Sequence, residues 1–168
     1  MGAVIANEFV GPAMTDREFT VRPIGRIEAD VEEARAGQVE SLRGRTARIV
    51  VAEVYDEALF AFDERVGTVD EPGYAEGLID VIFLLDRVEE EDVELRGWSG
   101  EGLTPPGERG VFTSRTPARP NRLGVTTVRV RERDGLTLVV EGLDAVDGTP
   151  VLDVKPHVDW REKLGTDG

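Results

Sequence analysis

The feature that most constrains the fold is a pair of alternating apolar and polar runs separated by an Asp-Gly pair. The runs cover residues 125–133 and 136–142, and Asp134 and Gly135 stand between them. A two-residue alternation is typical of a strand, and Asp-Gly is strongly preferred in two-residue hairpin turns. The sequence therefore predicts an antiparallel hairpin at this point.

Other short runs also predict strands. Residues 46–54 are rich in β-branched side chains, and residues 79–85, which contain the compact apolar run 81–85, predict a buried strand. Residues 19–27 indicate a first strand, which Pro23 places at the edge of a sheet. A short strand at 151–154 is expected to follow the turn Asp147-Gly148-Thr149-Pro150.

Helices are predicted to be few and short. Asp56 can cap a short helix over EALFAF, with Leu59 and either Phe60 or Phe62 facing inward. The stretches rich in charge, glycine or proline are interpreted as loops or linkers, at residues 28–45, 64–77 and 87–109.

The predicted architecture is therefore a single, mostly β domain with one or two short helices, closed as a β-barrel. At 168 residues the chain is large enough for one core. The barrel domain is expected to cover residues 19–160, between an N-terminal extension (1–18) and a polar tail (161–168). No internal repeat is present.

The charge distribution points to one site. The chain has a formal charge of −14, but residues 109–131 contain six arginines and no acid. Three of these arginines, Arg115, Arg119 and Arg122, stand among proline, asparagine and glycine, which is typical of a rigid loop that holds ligand-binding side chains. Guanidinium groups suit carboxylates and phosphates. Arg129 and Arg131 also fit the solvated face of a strand.

Several classes of protein are excluded or disfavoured. No G-x-G-x-x-G follows a strand, so a Rossmann methyltransferase is disfavoured, and there is no P-loop. The chain has no cysteine, and His157 is its single histidine, so no metal site is expected; His157 is interpreted as a packed side chain. The N-terminus lacks the pattern of a secretory signal and no apolar run is long enough to span a membrane, so a cytoplasmic location is expected. The acidity suggests either a salt-adapted source or an acidic mesophile protein.

Two blocks of sequence carry a family resemblance. GVFTSRTPARPNRLGVTTV, at residues 110–128, resembles the signature GVFATRSPxRPNPIGLT of the TrmO (TsaA-like, YaeB-type) family. GLDAVDGTPVLDVKP, at residues 142–156, resembles that family's GLDxxDGTPVLDIKPY. The resemblance covers about residues 20–158. It implies a TrmO-like β-barrel that uses S-adenosyl-L-methionine to methylate N6 of threonylcarbamoyl-adenosine beside the tRNA anticodon, and a homodimer.

On this hypothesis the two blocks supply the site. The candidate cofactor-binding residues are Gln38, Arg115, Arg119, Asn121, Leu123, Gly124 and Thr126, of which Leu123, Gly124 and Thr126 would form the floor of a cofactor slot. Arg122 and Lys155 are candidates for substrate binding. Asp147 and Asp153 are candidates for the catalytic proton acceptor, and Asp153 is expected to share one site with the arginines, with Lys155 at its rim. Structural roles stay open, as a turn residue for Asp147 or Asn121 and as an ion pair for Asp153.

The departures from the family pattern keep two further readings open. Gln38 is retained without the family's preceding proline, Asp80 replaces a histidine, Arg122 replaces the second proline of RPNP, and His157 replaces a tyrosine. The chain is therefore also compatible with a paralogue that methylates another acceptor, such as a small molecule. A non-catalytic barrel that binds a nucleotide or RNA is the third reading.

Overall fold

The computed structural model describes residues 19–30, 44–63, 65–66, 73–99 and 107–165. Eight strands dominate it: β1 Gly25–Glu28, β2 Thr46–Val51, β3 Tyr74–Leu84, β4 Arg96–Ser99, β5 Gly107–Gly110, β6 Leu123–Asp134, β7 Thr137–Glu141 and β8 Pro150–Val158. Short 3₁₀ helices cover Glu53–Leu59, Glu90–Asp92, Val111–Thr113 and Pro120–Arg122, and one α-helix, α1, covers Trp160–Leu164. Among these described elements, no helix is long and apolar enough to cross a membrane.

Six strands close into an antiparallel barrel in the order β1-β2-β7-β6-β3-β8. The closing contact is short, because β1 meets β8 only through Gly25 opposite Val151 and Arg26 opposite Pro150. Strands β4 and β5 form a separate two-stranded sheet. The predicted mostly β fold, with a closed sheet and few helices, is confirmed.

The core follows from the two-residue alternation of the long strands. In β3, Ile79, Val81 and Phe83 are at most 3% exposed, while the residues between them face outward. Burial of each such side chain contributes about 1.5–3 kcal/mol to folding, which outweighs the helix propensity of individual residues. The other strands contribute to the same core, with Ile27, Ile49, Val51, Val128, Val130, Leu138, Val140 and Val151.

The predicted hairpin is confirmed, with a turn displaced by one residue. Asp134 pairs with Thr137, so the two loop residues are Gly135 and Leu136. Gly135 has φ +56°, a conformation that favours glycine. The strand before the turn is longer than predicted, because β6 begins at Leu123.

The first strands and the short helix differ from their predicted bounds. The first strand is only Gly25–Glu28 and the second ends at Val51. The helix is a 3₁₀ segment that begins at Glu53, so Asp56 lies inside it and does not cap it; the residue before it, Ala52, makes no side-chain cap. Of its candidate core residues Leu59 is buried and Phe60 is 90% exposed, while Phe62 is half-buried against the core.

Three regions predicted as loops or short strands contain more sheet. β3 begins at Tyr74, inside the predicted linker, and β8 extends from Pro150 to Val158, beyond the predicted 151–154. Strands β4 and β5 pair with each other in the region 87–109, which was predicted to be irregular, and β5 extends to Gly110. For β3 and β8, pairing with strands distant in the sequence, which local sequence does not reveal, completes the backbone hydrogen bonds. Helix α1 crosses the predicted boundary between domain and tail, while the predicted extension, 1–18, lies outside the described residues.

Candidate functional site

The candidate site is at the end of the barrel where three neighbouring strands meet their connecting segments. Strand β3 ends there at Leu84, β6 begins at Leu123 and β8 begins at Pro150. The order β6-β3-β8 in the barrel therefore gathers the arginine loop (residues 111–122), the turn after β3 and the turn before β8. Both sequence blocks identified above thus reach the same end of the molecule.

Hydrogen bonds within the arginine loop fix its guanidinium groups. Arg119 Nη1 donates to the carbonyl of Ser114 at 3.2 Å, and Arg115 Nη2 donates to the carbonyl of Val125. Arg115 is exposed and Arg119 is half-buried. A guanidinium has five N–H donors, so each arginine retains donors beyond the contact that holds it.

The backbone at Asn121 and Arg122 has an uncommon conformation. Asn121 has φ +62° and Arg122 has φ +50°, directly after Pro120. A non-glycine residue in this region costs about 1–3 kcal/mol, and asparagine is among the residues that tolerate it best. Such strain is frequent at binding sites. It turns the chain from the loop into β6.

The segment after β3 braces the arginine loop. Leu85 N donates to the carbonyl of Arg122 at 2.8 Å, and Arg122 Nη1 donates to the carbonyl of Val88 at 2.6 Å. Further along, Val111 N donates to the carbonyl of Leu95 at 3.0 Å. Arg122 thus holds the loop in place, while its predicted contact with substrate remains a prediction. This brace could not be predicted from the sequence, because its partners are main-chain carbonyls, which leave no sequence signal.

Arg87 joins the second block to this brace. Its Nη2 donates to the main-chain carbonyl of Asp147 at 2.7 Å. The Asp147 carboxylate itself accepts the backbone N–H of Ala29 at 3.0 Å, which ties the turn before β8 to the chain after β1. Asp147 therefore acts as a turn residue, one of the readings that the sequence left open.

The outer face of β6, β3 and β8 carries the remaining candidates. Ile82 of β3 stands opposite Val125 of β6 on one side and Asp153 of β8 on the other. The Cα atoms of Val125 and Asp153 are therefore two strand spacings, or about 10 Å, apart. Asp153 Oδ1 accepts its neighbour Val154 N at 2.9 Å, and Oδ2 pairs with Lys155 Nζ. The carboxylate of Asp153 is partly exposed and balanced by Lys155, rather than by an arginine of the loop.

The three residues predicted to form the floor of a cofactor slot do not share one surface. Leu123 is 45% exposed on the outer face, opposite Leu84. Gly124 and Thr126 stand opposite the buried residues Phe83 and Val81 and so lie on the inner face. A Cβ at Gly124 would be 2.3 Å from the Phe83 ring. The glycine is thus explained by packing, and strand alternation prevents a common floor.

A second polar cluster lies on the same outer face. His157 Nδ1 is 2.9 Å from Asp80 Oδ1, and Thr127 Oγ1 donates to the same oxygen at 2.6 Å. The side chain of His157 is 29% exposed, so it is half-buried on this face. Within the part of the chain that the structure describes, no group of three or more Asp, Glu or His side chains is placed to hold a metal ion. Gln38 lies outside the described residues.

The fold places the chain among closed antiparallel β-barrel proteins, with arginines and carboxylates gathered at one end of the strands, and not among nucleotide-binding folds with parallel sheets. The family model for the tRNA-methyltransferase O N-terminal domain matches residues 76–162, slightly more than half of the chain. The chain belongs to this family. Both sequence blocks, at residues 110–128 and 142–156, fall within the matched range.

Two relatives and one solved structure illustrate the similarity. The probable S-adenosyl-L-methionine-binding protein of Pyrococcus abyssi is 39% identical over 146 residues, which are 85% of this chain and 72% of that protein. The mouse tRNA (adenine(37)-N6)-methyltransferase is 45% identical over 49 residues, 29% of this chain and 11% of that protein. The crystal structure of TrmO from Pseudomonas aeruginosa has a TM-score of 0.60 at 24% identity and shares the fold over 90% of this chain. This chain spans 61% of that TrmO chain.

Proposed function

We propose that this protein is an S-adenosyl-L-methionine-dependent methyltransferase that modifies N6 of the threonylcarbamoyl-adenosine at tRNA position 37. The observation that carries the proposal is the Arg87–Asp147 hydrogen bond, which brings the turn of the second family block against the brace of the arginine loop. Support also comes from the relatives, one of which is named for cofactor binding and another for adenine-N6 methylation.

The groups at this end of the barrel fit the cofactor's chemistry. S-adenosyl-L-methionine supplies an activated methyl group and carries a carboxylate, which the remaining donors of Arg115 and Arg119 suit. The partly exposed apolar side chains Leu123 and Val125 provide surface for an adenine ring. Asp153 supplies a carboxylate on the same face, and Lys155 next to it balances its charge. In this arrangement the chain binds and orients its ligands, which by itself can supply much of the rate.

The tRNA is expected to approach the arginine loop. Arg115 is exposed there, and Phe112 on the same loop is 79% exposed. An exposed aromatic ring beside arginine is suited to stacking on an unpaired base of an RNA loop. The net charge of −14 works against general binding of nucleic acid, so the contact has to be local.

A homodimer in the cytoplasm, where tRNA is modified, is part of the proposal. Val54 and Phe60, which are 83% and 90% exposed, provide apolar surface that a second copy of the chain can cover. Sedimentation analysis across a concentration series would test the dimer, and a monomer at all concentrations would remove this part alone.

The experiment that tests the reaction measures tRNA modification directly. Nucleosides from a deletion strain are analysed by mass spectrometry, and threonylcarbamoyl-adenosine should lack one methyl group. Expression of the wild-type chain in that strain should restore the methyl, and expression of Arg119→Ala should restore less. An unchanged nucleoside profile in the deletion strain would contradict the tRNA substrate.

A paralogue that methylates a small molecule is the second candidate. It is favoured by Arg122, which replaces a proline of the family signature and is held at the Val88 carbonyl. Calorimetric titration with S-adenosyl-L-methionine separates the readings. Saturable binding together with unmodified tRNA would indicate another acceptor. Absence of binding at millimolar cofactor would indicate a non-catalytic barrel.

A further inference from the structure

We infer that His157, oriented by Asp80, is the group that accepts the proton of the methylated nitrogen. The inference rests on the proposed methyl transfer, and it assigns the proton to a pair of residues other than Asp147 and Asp153. It begins from the contact between two strands that brings Asp80 of β3 within 2.9 Å of His157 on β8.

The hydrogen bonds of this cluster define which ring nitrogen is free. Thr127 Oγ1 donates its single proton to Asp80 Oδ1 at 2.6 Å. An ionised carboxylate only accepts hydrogen bonds, so His157 Nδ1, which is close to the same oxygen, has to donate to it. In a neutral imidazole only one nitrogen carries a proton, so Nε2 is left with a lone pair. Among the groups that the structure describes, none is hydrogen-bonded to Nε2.

The cluster lies on the face of the candidate site. Thr127 of β6 stands opposite Asp80 of β3. This outward-facing pair lies two residues along the strands from the next outward-facing pair, Val125 and Ile82. The carbonyl of Val125 holds Arg115, and Asp153 stands opposite Ile82 on the third strand. Two residues along a strand span about 7 Å, so a ligand of nucleoside size can reach from the arginine loop to His157.

Charged groups on all three strands lie near the cluster. Besides Asp80, they are Glu76 on β3, Arg129 on β6, and Asp153 and Lys155 on β8. Lys155 stands opposite Asp80 and is paired with Asp153. Arg129 Nη1 donates to the Glu76 carbonyl at 3.3 Å, away from Asp80. Asp80 is therefore the acid in direct contact with the ring.

The proton and electron balance of the step is complete without a further reagent. The lone pair of the acceptor nitrogen forms the new N–C bond, and the pair of the broken C–S bond stays on sulfur. The N–H proton passes to His157 Nε2, and the resulting imidazolium remains paired with the Asp80 carboxylate. Water then takes the proton when the product leaves. A histidine held by a carboxylate is suited to this task near neutral pH.

The tautomer can be tested independently of activity by NMR. Because the chain has one histidine, every imidazole signal in a long-range ¹H–¹⁵N spectrum of untagged protein comes from His157. At alkaline pH the spectrum should show a protonated Nδ1 and a bare Nε2. Asp80→Asn should reduce the population of that tautomer. A wild-type spectrum with the proton on Nε2 would overturn the inference.

Single-turnover methylation tests the role in the reaction. His157→Gln should lower the rate about 10²- to 10⁴-fold, with cofactor affinity changed less than about two-fold. The wild-type rate should depend on pH, because only the neutral imidazole can accept a proton, and this dependence should be absent in His157→Gln. Asp80→Asn should lower the rate less, because the imidazole remains.

Glu141→Gln is the matched control for Asp80→Asn. Glu141 is a strand carboxylate with 29% exposure, against 32% for Asp80, and it is paired with Arg131 on the neighbouring strand. It should keep the wild-type rate and pH profile, and thermal unfolding of all variants shows which of them fold. An active wild type with an equally active His157→Gln would overturn the inference and leave the proposed function intact. A wild type that transfers no methyl to tRNA contradicts the proposed function and this inference with it.

Discussion

Arg87 Nη2 donates to the main-chain carbonyl of Asp147 at 2.7 Å and so connects the turn after β3 to the turn before β8. The same turn after β3 receives Arg122 Nη1 at the Val88 carbonyl. The arginine loop and the turn before β8 both carry residues of the family signature. They are linked through the turn after β3, which carries none.

Replacement of Arg87 by glutamine should loosen this link. The lost hydrogen bond should cost about 0.5–1.5 kcal/mol of stability, and cofactor affinity should fall because the two blocks move independently. Thermal unfolding and calorimetric titration measure the two effects. Arg26→Gln, which removes an exposed arginine on β1, serves as control. Equal behaviour of the two variants would show that the link does not organise the site.

Asn121 allows its backbone and its amide to be tested separately. Asn121→Gly should preserve the positive φ and the fold, with stability changed by less than about 1 kcal/mol. If the amide binds the cofactor, affinity should fall in this variant as it does in Asn121→Ala, and calorimetric titration measures both. If Asn121→Gly bound the cofactor as tightly as the wild type and Asn121→Ala bound it weakly, the role of Asn121 would be purely conformational.

Gly124→Ala should destabilise the protein through packing rather than through the site. The new Cβ would be 2.3 Å from the Phe83 ring, and such overpacking costs about 1–3 kcal/mol. Denaturant unfolding should show the loss, and a smaller side chain in Phe83→Leu should recover part of it in the double variant. If the two substitutions were simply additive, contact with Phe83 would not be the cause.

The salt dependence of tRNA binding should be shallow. Three of the six arginines at residues 109–131 are held away from the loop's surface, Arg122 at Val88, Arg129 at Glu76 and Arg131 at Glu141. Arg115 and Arg119 each use one donor on a main-chain carbonyl, of Val125 and Ser114, and keep the others. In the absence of cofactor, when the remaining donors of Arg115 and Arg119 are available as the main phosphate contacts, the slope of log K against log salt should be about −1.4 to −1.8.

Screening of the acidic surface by salt reduces this slope further. Filter binding across a salt series measures it, and Arg115→Ala should lower affinity while Glu90→Lys raises it modestly. A slope corresponding to six contacts would show that the paired arginines also reach the RNA.

The local sequence was sufficient for the features that depend on neighbouring residues. The alternation on both sides of Asp134 and Gly135 predicted the hairpin, because strand period and turn chemistry are local properties. The excess of β-branched runs predicted a mostly β fold. The density of proline, asparagine and glycine around Arg115 and Arg119 predicted a rigid loop, whose hydrogen bonds the structure supplies.

Tertiary structure alone decided which distant groups meet. The pairs Asp80–His157 and Arg87–Asp147 join positions 77 and 60 residues apart, and each depends on the order β6-β3-β8 and on strand register. A shift of one residue in register would turn His157 to the opposite face of its strand. Because barrel closure fixes the register through backbone hydrogen bonds between remote strands, no local pattern in the sequence encodes these contacts.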